Sequence, residues 1–104
     1  MSFIREHIVK RVSRSSGWSR VRREHLELCS HCAVCGRDSK LEVHHIEPFS
    51  EDPSLELDPD NLLTLCDGSM RCHFVVGHLG DFRSHNPEVV LDAKWFHKRI
   101  LENR

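Results

Sequence analysis

Four of the five cysteines in this 104-residue chain fall into two separated pairs, Cys32-x2-Cys35 and Cys66-x5-Cys72. Only a folded chain can bring such pairs together. A domain this small buries a modest share of its surface, so a metal clip would contribute a large part of its stability. An odd number of cysteines argues against a disulfide framework and for four ligands plus a bystander. Four thiolates suit a tetrahedral zinc ion closed to water, which makes the predicted site structural. Cys29-x2-Cys32 is a competing pair. A metal knuckle needs a tight turn after its second cysteine, and Gly36 supplies that turn only after Cys35. The predicted structural Zn2+ ligands are therefore Cys32, Cys35, Cys66 and Cys72. Cys29 is expected to close a helix as a small apolar residue, and His31 to be exposed.

Between the pairs, Leu41-Glu-Val-His44-His45-Ile-Glu-Pro48 alternates apolar and polar like a half-buried strand and stops at a proline. Neighbouring strand side chains point to opposite faces, so His44 and His45 must do different jobs. An acidic, proline-rich loop without regular structure follows, long enough to be functional. Asn61 then opens the second short strand, Leu62 to Cys66. Cys72-His73 begins a short helix that Gly80 ends after about two turns. Asn86-Pro87-Glu88 reads as N-cap, proline and first-turn acid of a last helix. It runs to about Leu101, with Val90, Ala93, Trp95, Phe96 and Ile100 as packing residues. Upstream, Ile4, Ile8 and Val9 space a helix over Ser2 to Val12. Trp18, Val21, His25 and Leu28 space another, with Ser15 and Ser16 available to cap it. Trp18 and His25 read as packing residues.

Formal net charge is only −1, but its distribution is uneven. Arg5, Lys10, Arg11, Arg14, Arg20, Arg22 and Arg23 face only Glu6 at the start, and every charge from Val43 to Asp67 is acidic. Basic ends around an acidic centre suit a phosphate-binding surface beside a cation site, with Arg20, Arg22 and Arg23 as candidate phosphate contacts. No apolar run reaches membrane-spanning length, and the opening residues do not read as a signal peptide, so the expectation is a cytoplasmic protein with reduced thiols.

Cys32-Ala-Val-Cys35, Val43-His44-His45-Ile46-Glu47-Pro48, Asn61-Leu62, Leu65-Cys66 and Cys72-His73 occur in this order. Over about residues 30–80 that series resembles the HNH endonucleases of the cysteine-containing branch. The flanks are similar to small phage- and prophage-associated members. Two features depart from the family pattern: the Cys66–Cys72 gap exceeds the usual two residues, and His44 stands where many members carry aspartate.

The resemblance implies an α+β domain with a ββα-metal (His-Me finger) core, a structural zinc and flanking helices. It would be one HNH domain over 1–104, with helical flanks at 1–29 and 86–104. It also implies that His45 is the general base. His44 and His73 hold a catalytic divalent ion (Mn2+, Ni2+, Co2+ or Mg2+), with His78 the competing candidate for the place of His73. On an α-helix, five residues separate His73 and His78 by about 140°, so both cannot face one ion. Asn61 holds the inter-strand loop and orients His45. The implied activity is hydrolysis of DNA phosphodiester bonds, leaving 5′-phosphate and 3′-hydroxyl ends, in the cytoplasm of a bacterium or phage-infected cell. The rival readings are a catalytically silent, zinc-stapled DNA-binding module and an interaction module that partners phage packaging proteins.

Overall fold

The computed structural model describes residues 17–104. The expected helix over Ser2 to Val12 and the capping serines lie outside them. Helix α1, Trp18–Leu28, starts instead from Gly17, whose left-handed backbone (φ 81°) turns the chain into the first turn. Val21 N donates to Gly17 O to close that turn. Trp18, Val21 and His25 are half-buried, whereas Leu28 is 86% exposed. Leu28 lies about 80° around the axis from Trp18, at the edge of the stripe and in the last turn. Cys29 closes the helix by donating its N–H to His25 O, and it is exposed, not buried.

After α1 the chain forms the knuckle. Gly36 N donates to Cys32 O and Cys32 N to Arg37 O, with Gly36 at φ 80°. The left-handed glycine therefore follows Cys35. Strand β1, Leu41–His45, pairs antiparallel with β2, Leu62–Cys66, in the register Leu41↔Cys66 to His45↔Leu62. One further bond, Ile46 N to Asn61 O, extends the ladder past the strand end. Residues opposite each other share a face of the hairpin. Val43, His45, Leu62 and Thr64 thus look towards α1, where His25 Nε2 lies 3.0 Å from Thr64 Oγ1.

The loop between the strands has more order than its composition suggests. Two short 3-10 turns, Pro53–Leu55 and Pro59–Asn61, each begin with an aspartate whose carboxylate accepts a backbone N–H. Asp52-Pro53 and Asp58-Pro59 are cap-plus-proline pairs, a local signal in an otherwise irregular stretch.

The other face of the hairpin is covered by a π-helical turn, His73–Gly77. Two α-turns ending at Gly80 were expected here. The backbone instead closes an i→i+5 bond, His78 N to His73 O at 3.1 Å, and Gly80 (φ 80°) then bonds back to Phe74 O. Helix α2, Val89–Glu102, begins three residues after Asn86. Asn86 Oδ1 accepts Glu88 N–H, and its Nδ2 donates to Val76 O and Asp92 Oδ2, so it ties the π turn to α2. Val89 and Ala93 are buried, but Trp95 is 56% and Phe96 40% exposed. These two aromatic rings meet edge to face at the surface and do not enter the core. The domain is too thin to bury a second face of α2.

The core consists of Val34, Leu65, Val76, Val89 and Ala93 around Cys32, Cys66 and Cys72. The hydrophobic centre and the cysteine cluster are therefore one structure. No described helix is long and apolar enough to cross a membrane.

Candidate metal centres and active site

The sulfurs of Cys32, Cys35, Cys66 and Cys72 all lie within 4.8 Å of one another, and Cys35 Sγ is 3.7 Å from Cys66 Sγ. Zinc–sulfur bonds of about 2.3 Å in a tetrahedron require sulfurs about 3.8 Å apart, so the donor set fits a closed ion site. The knuckle supplies Cys32 and Cys35, the end of β2 supplies Cys66, and Cys72 immediately precedes the π turn. The Cys72 hydrogen bond draws the Cys32 thiol down to about 4. The same bond, with burial, pushes Cys72 far up, and burial raises Cys35. Cys32 is thus the thiol that ionises first, while Cys72 and Cys35 hold their protons until a cation displaces them. Cys29 is outside the cluster and exposed.

A second donor set lies on the opposite side of β1 from α1. Nitrogens of His44, His73 and His78 approach within 4.8 Å of one another. The wind of the π turn explains why both downstream histidines arrive. An i→i+5 helix brings residues five apart onto one face, so the 140° separation of an α-helix does not apply. The turn also needs Gly77. A Cβ there would come within 3.1 Å of both the His44 ring and the Leu65 side chain.

Each downstream imidazole is oriented from behind. His73 Nδ1 faces Asp67 Oδ1 at 3.3 Å, and His78 Nδ1 donates to Ser84 O at 2.7 Å. Donation from Nδ1 leaves the lone pair of a neutral ring on Nε2. The two Nε2 atoms are 3.2 Å apart, and in those tautomers both turn a lone pair towards the same space. His44 is 4% exposed, and its Nε2 has no hydrogen-bond partner among the described residues. Burial, and then the charges of the neighbouring histidines, push His44 down to about 3, so it stays neutral near pH 7. A buried His44 nitrogen without a partner, facing two part-buried imidazoles within 4.8 Å, is a donor set that a cation could satisfy.

His45 occupies the other face. Its Nε2 donates to Glu56 O at 2.9 Å, which fixes the tautomer and leaves the lone pair on Nδ1. Asn61, buried at the start of β2, accepts Glu47 N–H at 2.8 Å and donates to Glu47 O and Leu55 O. It therefore clips the exit of β1 to the carbonyl segment on which His45 rests. His44, His45, His73, His78 and His85 all line one cavity of about 230 Å³.

The arginines of α1 divide. Arg20 pairs with Glu24 and Arg22 with Glu42 of β1, about 200° apart around the helix, while Arg23 is exposed. Arg22 is therefore turned away from Arg20, whereas Arg23 lies about 60° from Arg20.

Residues 28–74 match the family model for HNH endonuclease. This central segment is similar to the HNH family. The hairpin followed by a helical turn, with a candidate metal site between them, is its ββα-metal arrangement, and the four clustered cysteines fit the cysteine-containing branch. No curated protein and no solved structure gave a significant match. The HNH segment contains the four cysteines, His44, His45, Asn61 and His73 but stops short of His78, His85 and α2. It also begins after nearly all of α1.

The sequence offers His78 only as the rival of His73, because an α-helical wind cannot aim both at one ion, and it does not single out His85. The five-residue spacing of His73 and His78 around a glycine was the available signal. If both imidazoles hold the ion, His73→Ala and His78→Ala should each weaken divalent-ion affinity by about ten-fold or more, at least the cost of losing a supporting contact. Calorimetric titration of the zinc-loaded protein with manganese checks this. Full affinity in His78→Ala would return the site to two histidines.

Proposed function

We propose that this chain is a metal-dependent DNA endonuclease of the HNH type. The observation that carries the reading is the pair of histidine environments on opposite sides of β1. Three convergent imidazoles lie on one face, and an imidazole hydrogen-bonded through Nε2 lies on the other, both opening to one cavity. A divalent cation on His44, His73 and His78 would supply charge relief at the phosphate and at the leaving 3′-oxygen. His45 Nδ1 takes a proton from the attacking water, a role to which an imidazole is suited. Glu56 O keeps that nitrogen in its basic form, and Asn61 holds the carbonyl in place. The four cysteines hold a structural zinc that fixes the start of the π turn. Arg23, with Arg20, gives the backbone contact on α1. A silent DNA-binding module would have no need of a buried His44 or of two oriented partners for it.

A plasmid-nicking assay across divalent ions tests the reading. Cleavage should require added metal and vanish with chelator at concentrations that leave the zinc bound. Imidazole nitrogens favour manganese, cobalt and nickel over magnesium, which prefers hard oxygen. His44→Asp should therefore shift the optimum towards magnesium. Wild-type cleavage that is best in magnesium would contradict the three-histidine assignment.

A further inference from the structure

We propose that Trp18 is a positioning residue for His45, so that α1 completes the active site although it lies almost wholly outside the HNH segment. The catalytic consequence rests on the nuclease reading above. The indole of Trp18 lies against the His45 ring with centroids 4.6 Å apart and planes 31° apart, a tilted stack. This contact restrains a motion that the hydrogen bond to Glu56 O by itself does not. An imidazole tethered at Cβ and held at Nε2 can still pivot about the line joining those two points. Nδ1 lies off that line, so each pivot moves the nitrogen that must meet the water. An aromatic face laid on the ring opposes that pivot.

The helix is anchored so that the indole stays there. At its far end His25 Nε2 meets Thr64 Oγ1, and the same hydroxyl donates to Cys29 O at 2.7 Å. Thr64 and His45 share the face of the hairpin that α1 covers. Trp18, the first helical residue, thus falls over the end of the hairpin where His45 stands. Gly17 turns the chain there in a left-handed conformation, and a Cβ on it would meet Leu57, the neighbour of Glu56. Helix start, inter-strand loop and His45 are packed as one unit. Trp18 itself is only half-buried and stands apart from the core around the cysteines, so packing alone does not account for its position.

The test uses the full chain, zinc-loaded, as Trp18→Leu and Trp18→Phe. A small displacement of a catalytic group is worth about 100-fold, so Trp18→Leu should lower kcat about 10- to 100-fold, and Trp18→Phe should recover most of it. KM, zinc content and Tm should stay near wild type in both. Nuclear magnetic resonance reads the clamp without any cleavage. The His45 ring protons should be shifted upfield by the indole, with one protonated and one bare nitrogen resonance, and Trp18→Leu should lose both signatures. Unchanged kcat in Trp18→Leu, or a loss confined to KM, would overturn the proposal. So would a fall in kcat that tracks lost zinc or lost fold and that Trp18→Phe does not recover. A wild-type protein that shows the clamped ring but cuts no DNA under any metal would sink the nuclease reading and leave the contact standing.

Discussion

Cys66→Ser is expected to leave the domain unfolded at 37 °C even with zinc in excess. Cys66 is wholly buried at the end of β2, in the middle of the core and of the sulfur cluster. Structural zinc sites in small domains contribute roughly 10–16 kcal/mol of apparent binding energy, against a typical total stability of about 5–15 kcal/mol. Losing one of four thiolates forfeits much of that, and the buried serine hydroxyl adds a desolvation cost of about 1–3 kcal/mol. Cys35→Ser should act in the same direction, since its sulfur is 3.7 Å from that of Cys66. Cys29→Ser is the control. It lies outside the cluster and is exposed, so its effect should stay within about 0.5 kcal/mol, with one zinc per chain retained. Circular dichroism melts with elemental analysis decide the matter. A folded, zinc-replete Cys66→Ser would show that the cysteines are buried thiols and nothing more.

What could be read in advance was whatever depended on neighbours in sequence. The alternation of Leu41 to Ile46 located β1 and separated His44 from His45. Gly36 selected its knuckle over the overlapping one. Asn61 was placed at the mouth of β2, and Trp18–Leu28 was bounded as a helix. The misreadings share one cause, which is that tertiary packing chose among local options. The chain from His73 to Gly77 could wind as α or as π, and its sequence favours neither. The π wind sets Gly77 against His44 and Leu65 while His73 and His78 converge. Trp95 and Phe96 look like core residues by composition, yet a hairpin five residues long can cover only the Val89–Ala93 side of α2. Trp18 over His45 pairs residues 27 positions apart, and no local pattern encodes that contact. The first segment, with Ile4, Ile8 and Val9, lies outside the described residues.

His45→Ala should reduce cleavage by at least the roughly 10²- to 10⁴-fold that general base catalysis contributes, while DNA affinity stays within a few-fold. The ring acts on water and makes little ground-state contact with substrate, so the loss belongs in kcat. More than a tenth of the activity surviving would remove His45 from the mechanism. Asn61→Ala gives the sharper test of how the site is built. Its side chain makes three hydrogen bonds, two to Glu47 and one to Leu55 O, and none to His45. Its influence must pass through the loop to the neighbouring carbonyl, Glu56 O, which receives His45 Nε2–H. Asn61→Ala should therefore lower kcat, and its effect should disappear once His45 is gone. In the double variant the rate should equal that of His45→Ala alone, because residues acting through one group are not additive. Additive losses would mean that Asn61 supports the reaction by another route, such as holding the acidic loop against the DNA. Metal affinity separates the remaining possibility. His44, His73 and His78 lie on the far face of β1 from His45, so neither variant should change manganese binding by more than about two-fold, the scale expected for sites that share no contact.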